Sequence, residues 1–189
     1  VTRAALGALA PTGVGGASGP QAFRLGTAAS ASGLRTRAVP GNDAATLAAN
    51  IDRLRTELAG RPSPSVVVVS ADAPSYAMAA AAWAAKSGDP VLFVTRNGVP
   101  VPTRQAIALH GRPRIHLLGP ATVISPAVAR QLQQFGAVSR IGGPSAAATA
   151  VAFARYADGR FGWGVIDPGH GLVVTSPTRP ADAAAAAPL

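Results

Sequence analysis

The chain repeats itself, and any fold it adopts has to respect that. "VVVVSADAPSYAMAAAAWAA" (66–85) and "GLVVTSPTRPADAAAAAPL" (171–189) match in order. Ser70 pairs with Ser176 and Pro74 with Pro180, both at an offset of 106, and Ala77 and Ala80 pair with Ala183 and Ala186. Upstream, "VPGNDAATLAANI" matches "IGGPSAAATAVAF", with Gly41 against Gly143 at an offset of 102. "FRLG" ending at Gly26 echoes "HLLG" ending at Gly119, an offset of 93. Self-similarity at a fixed spacing means one structural unit used more than once. The chain divides into the tail of one module (1–36), a complete module (37–139) and the head of a third (140–189). With Val1 in place of an initiator Met, it is expected to be a piece of a longer protein.

Within the unit, short apolar strands alternate with amphipathic helices. "SVVVVS" (65–70) is a continuous β-branched run, as in strands buried on both faces of a parallel sheet. "PVLFV" (90–94), "RIHLLG" (114–119), "AVSRIGG" (137–143) and "GLVVTS" (171–176) read as further strands. "NDAATLAANIDRLRTELAG" predicts a helix capped by Asn42 or Asp43 and stopped by Gly60 and Pro62. Its Leu47, Ile51, Leu54 and Leu58 fall on one stripe. Other helices are expected from Pro74 to Lys86, from a Thr103 cap to His110, from a Ser125 cap to Gly136, and after a Ser145 cap. The pattern implies an α/β fold, with an open, mostly parallel sheet flanked by helices and arranged as tandem-repeat modules.

Forty-eight per cent hydrophobic against 13% charged residues marks a globular chain. There is no cysteine, which excludes disulfides and thiolate zinc sites. The apolar run 77–85 is too short to cross a bilayer, so membrane insertion is not expected, and the first residues lack the basic-then-apolar plan of a signal peptide. The net charge of +9 comes almost wholly from arginine, Lys86 being the one lysine. Such a field suits a polyanion, but the arginines are scattered, which composition bias alone also produces. Arg96, Arg104, Arg112, Arg114 and Arg140 stand nearest the expected loops and strand ends. They are the candidate polymer-binding set, able to make paired hydrogen bonds to phosphate or carboxylate.

"RIGGPSAAATAVAFARY" with "RPADAAAAAPL", and the run from "VVVVSADAPSYAMAAAAWAA" through "GDPVLFV", "IHLLGPATVIS" and "VSRIGG", resemble the type 2 cell wall-binding repeat of Gram-positive surface proteins. The resemblance covers nearly the whole chain. It implies an α/β module that anchors its protein non-covalently to anionic envelope polymers. No catalysis and no cofactor are implied, and the location would be the cell wall outside the cell. Partners would be the polymer and other copies of the module, in the same chain or in a homo-oligomer, and not nucleic acid. The motif positions carried over are Ile141, Gly143, Thr149 and Asp182. Val91, Leu92 and Phe93 stand where the family has an Ile-Leu-Leu stretch. After Gly143 the family's Asp-Arg-Tyr run is replaced by Ser145-Ala146-Ala147, and the counterpart of Asp182 in the complete module is Tyr76.

Other motifs point elsewhere and are weaker. "GWGVIDPGHG" (162–171) looks like the opening of a peptidoglycan-cutting zinc amidase, with His170 as a ligand. Such a site needs further His or Glu ligands downstream, and none follows. His110 and His116 read as structural. "GVGGASG" (13–19) lacks the strand, helix and acid that a dinucleotide loop requires. The alternative to an anchoring role is an enzyme using the strand-end loops near Ser70 and Asp72, or a repeat that mediates self-association. Trp83 and Trp163 read as packing residues.

Overall fold

Four of the apolar runs pair into one parallel sheet. β3 (Ser65–Ser70), β4 (Val91–Val94), β5 (Arg114–Leu118) and β6 (Ala137–Ile141) lie in the order β4-β3-β5-β6. The computed structural model describes residues 8, 11–26, 33–166 and 173–187. Parallel neighbours need crossover segments. α2 (Met78–Ser87), entered through a 3-10 turn at Pro74–Ala77, joins β3 to β4; α3 (Val101–Leu109) joins β4 to β5; α4 (Pro126–Leu132) joins β5 to β6. α5 (Ala146–Arg155) follows β6. Every residue of β3 is buried because helices cover both faces. Val66 and Val68 meet Leu92, Ile115 and Leu117 on one side. Val67 and Val69 meet Trp83, Phe153 and Phe161 on the other. At roughly 25 cal/mol per Å2 of apolar area, these two layers are the main source of stability.

A smaller parallel pair precedes this sheet: β1 (Ala22–Leu25) and β2 (Thr36–Val39), followed by α1 (Ala44–Ala59). Asp43 caps α1 by accepting from the Thr46 amide at 2.9 Å, and Gly60 ends it at φ 70°, where a side chain would be strained. The leucine stripe is not the face that α1 buries. Ala45, Ala48, Ala49 and Asp52 are the buried residues, while Ile51 and Leu58 are exposed. Small side chains let α1 approach α3 and β4 closely, which turns the bulkier stripe toward β1.

Two other expectations are corrected. α3 starts at Val101, and Thr103 lies inside it; its hydroxyl donates to the Phe93 carbonyl at 2.6 Å instead of capping. Residues 173–176 form no strand, although α7 (Pro180–Ala186) begins at its proline as the turn at Pro74 does. β3 exists as a strand because β4 and β5 flank it. A short helix, α6 (Trp163–Ile166), precedes this segment.

Candidate functional site

The five arginines separate onto two rims of the sheet. Arg96 follows β4, Arg104 lies in the first turns of α3 and Arg140 is next to last in β6, so these three lie at the carboxyl end of the strands. Arg112 and Arg114 lie at the amino end, where Arg114 donates to Ser65 Oγ at 3.2 Å. A five-residue strand is about 16 Å long, which keeps the two groups apart. At the carboxyl rim the loop after β5 links the first group. Its Ser125 amide donates to the Arg96 carbonyl at 2.9 Å. The Arg140 guanidinium donates to the carbonyls of Gly119 (2.8 Å) and Ile124 (2.9 Å). Burial holds the Arg140 pKa below its usual value. Arg96 and Arg104 are exposed, with the Arg104 guanidinium resting on the Val99 carbonyl at 3.0 Å.

The motif residues take different places in the fold. Ile141 ends β6 in the core. Gly143 lies against α5 so closely that a Cβ would stand 2.7 Å from that of Ala148. Its amide donates to the buried Thr149 hydroxyl at 3.0 Å. Gly143 and Thr149 therefore lock the strand-to-helix turn, as their motif spacing requires. Leu92 enters the core, whereas Val91 and Phe93 line a groove of about 570 Å3 between α1 and α2, with Pro180 and Ala184 of α7 on its wall. Asp182 pairs with Arg179 at 2.9 Å.

The strand-end residues considered for catalysis are engaged in turns. Ser70 is fully buried and accepts from the Asp72 amide at 3.2 Å. Asp72 accepts from the Arg96 amide at 2.8 Å. The glycine-rich 13–19 segment is a turn tied down by Arg35, which donates to Gly19 and Thr12 carbonyls. His170 lies outside the described residues. Among the described residues no three His, Asp or Glu side chains converge, and no helix is long and apolar enough to cross a membrane.

Two buried histidines carry electrostatic features that the sequence pattern does not reveal. His110 Nδ1 lies 2.8 Å from the Ser63 carbonyl oxygen and Nε2 lies 2.9 Å from Asp52 Oδ2. Both neighbours present acceptor oxygens, an arrangement that favours the ring carrying both N–H groups. Burial opposes that charge, but the hydrogen bonds to Asp52 and Ser63 outweigh it, and the pKa is raised. This pair pins α1 to the end of α3. His116, on central strand β5, has the opposite fate. It stacks on Phe161 at 3.6 Å, and neither of its buried nitrogens has a partner. Burial, against a weaker pull from Asp158, lowers its pKa to about 4. Around it Trp83 contacts Phe153, Phe161 and Trp163 at centroid distances of 5.9, 4.4 and 5.3 Å. Trp83 Nε1 donates to Asp89 at 2.9 Å, and Asp89 in turn accepts from Ser63.

Comparison with known proteins places this architecture. Residues 39–129 match the family model of Cell wall binding domain 2, so the resemblance read from the sequence is borne out over that stretch. No curated protein matches the chain. Among solved structures, Cwp6 from Clostridium difficile superposes with a TM-score of 0.56 at 19% identity, over 62% of this chain and 18% of that one. Cwp8 from Clostridium difficile gives 0.53 at 19% identity, over 62% of this chain and 20% of that one. At this identity the likeness is one of fold, and the chain spans about a fifth of each neighbour.

Proposed function

From the match of residues 39–129 to a cell wall-binding family, we propose that the chain is a non-catalytic envelope-anchoring piece that holds anionic wall polymers without a covalent bond. The match is the observation that carries this reading, and the net charge of +9 fits it. The protein that contains it would act outside the cell, at the wall. The division into 1–36, 37–139 and 140–189 belongs to the same reading, with each complete module one gripping unit.

The exposed cations of the carboxyl rim, Arg96 and Arg104, offer forked donors to phosphate or carboxylate, with Arg140 behind them holding the loop in shape. Arg112 and Arg114 would form a second, separate contact. A repeating polymer met at two rims gains by avidity, so each contact can be weak. Supporting this over an enzymatic role, Ser70 and Asp72 are both engaged in backbone turns.

The test is retention of the purified chain on isolated walls and on immobilised anionic wall polymer. Retention at low ionic strength that falls as salt rises supports the reading, since exposed charge contacts are screened. The R96A/R104A pair is expected to weaken retention several-fold while leaving the melting temperature unchanged. Absence of retention at low salt, or equal retention on a neutral polysaccharide, would overturn it.

A further inference from the structure

The turn after β4 is pinned on both sides and leaves one side chain untethered. The Gly98 carbonyl accepts from both the amide (3.0 Å) and the hydroxyl (3.2 Å) of Thr95. The Arg96 amide donates to Asp72 Oδ2 at 2.8 Å, and its carbonyl accepts from the Ser125 amide at 2.9 Å. Between these anchors stands Asn97, exposed at the tip. Among the described residues neither its side chain nor the Gly98 N–H takes part in a hydrogen bond.

A side-chain amide followed by glycine is a reactive pair. Glycine has no Cβ to shield its backbone nitrogen, so that nitrogen can approach the carbon of the preceding side-chain amide. Asparagine is already among the thermolabile residues. The chain has three asparagines, and Asn97 alone precedes a glycine. Asn50 lies within α1, its amide donating to the Pro40 carbonyl at 2.8 Å and its oxygen accepting from Arg53 at 3.0 Å. Asn42 is exposed but precedes Asp43. Asp158-Gly159 has the same spacing with an acid in place of the amide, and Asp158 Oδ1 accepts from the Arg160 (3.0 Å) and Phe161 (2.8 Å) amides. Burial works against the charge of Asp158, but these bonds outweigh it and lower the pKa. The group stays a carboxylate, which resists attack.

We propose that Asn97 is a site of spontaneous covalent change, converted with age to aspartyl and isoaspartyl forms that weaken the carboxyl-rim contact. The Gly98 nitrogen bonds to the side-chain carbonyl carbon of Asn97. The bond from that carbon to Nδ2 breaks, and Nδ2 departs as ammonia with the proton that Gly98 gives up. Water then opens the cyclic imide at either carbonyl. One opening restores the backbone and leaves an aspartyl side chain. The other routes the backbone through the side-chain carbon, one methylene longer. Either product sets a carboxylate next to Arg96, where it competes with a polymer anion and repels it. The isoaspartyl form also lengthens a turn whose two sides are pinned. The loss of grip rests on the polymer-binding reading of Arg96; the chemistry at Asn97 does not.

Peptide mapping by mass spectrometry, on the purified chain held warm at mildly alkaline pH, tests the chemistry. Acid and iso-acid are expected at position 97 well before Asn42 or Asn50 changes, and faster as the pH rises, because the Gly98 nitrogen must lose its proton to attack. Gly98→Ala should slow the conversion at least several-fold with unchanged melting. Gly98 is not at positive φ, and a Cβ there would stand 3.4 Å from Thr95 Oγ1. Asn97→Asp carries the new charge from the start and should lower retention on anionic wall polymer about two-fold, in line with the modest worth of an exposed charge contact. An Asn97 that stays an amide throughout, equal conversion at Asn42 or Asn50, or a Gly98→Ala chain that converts as fast would overturn the site. Full retention of Asn97→Asp would overturn its link to grip. Should the fresh wild type fail to bind the polymer, the polymer reading falls, and the mass readout still decides the chemistry at Asn97.

Discussion

Two regions of the molecule share a local design and differ in what surrounds them. β1–β2–α1 and β5–β6–α5 have the same parallel pairing, the same glycine-to-carbonyl bond across the strand ends and the same style of helix cap. Asp43 accepts from Thr46, and Ser145 from Ala148. Leu118 is nonetheless fully buried where Leu25 is 53% exposed, and Phe153 is 2% exposed where its counterpart Ile51 is 38% exposed. Turn geometry and capping travel with the local sequence. Burial does not, because it depends on β3 and α2, which flank only the second region.

The sharpest way to break that comparison is to cut equivalent side chains. Phe153→Ala should cost about 3–5 kcal/mol, as large-to-small changes in a packed core do. Ile51→Ala should cost about 1 kcal/mol or less, read from denaturant midpoints. Equal losses would mean that the two environments are alike in solution.

Next comes acid. His116 belongs to the covered region alone, and its folded pKa of about 4 lies below the ordinary 6.5. The unfolded chain binds the extra proton first, so stability is full above pH 6.5 and falls as the pH drops toward 4. The loss should approach about 3 kcal/mol. His116→Leu should flatten this limb of a stability-against-pH curve.

The alkaline limb has the opposite sign. The raised pKa of His110 means that its bond to Asp52 stabilises fully below pH 6.5 and is lost as the pH climbs through the folded value. Asp52→Asn should abolish that slope. Because the pair ties α1 to α3, hydrogen exchange should rise first in α1.

The smallest effect tests what the two regions share. Asp43→Ala and Ser145→Ala should each cost about 1 kcal/mol, and by similar amounts. A clear inequality would show that the caps are not equivalent.

Much of this was legible in the residues. The valine run of β3, the caps at Asp43, Ser125 and Ser145, and the stop at Gly60 are local signals, and they hold, whereas the helix expected to reach Gly136 ends at Leu132. The family motif was legible as a pattern, but its role in locking the turn through Gly143 and Thr149 needed coordinates. What sequence could not give is which side of a helix meets which neighbour. The Leu47–Leu58 stripe reads as core by periodicity, yet the alanines of the other face are buried, because close packing on β4 and α3 favours small side chains. "GLVVTS" has strand composition, but a strand is a property of its partners too. The Asp52–His110 bond joins residues 58 apart, and no short-range pattern marks it.

α1 serves two sheets at once. One side lies on β4 and α3, with His110 holding Asp52, and the other backs β2 and faces Leu25 of β1 across a groove. Under tension, this makes the helix the element that bears load. A tug applied across the two sheets must shear it from one of them before they can part. The link between the two sheets is thus a riveted joint, not a hinge.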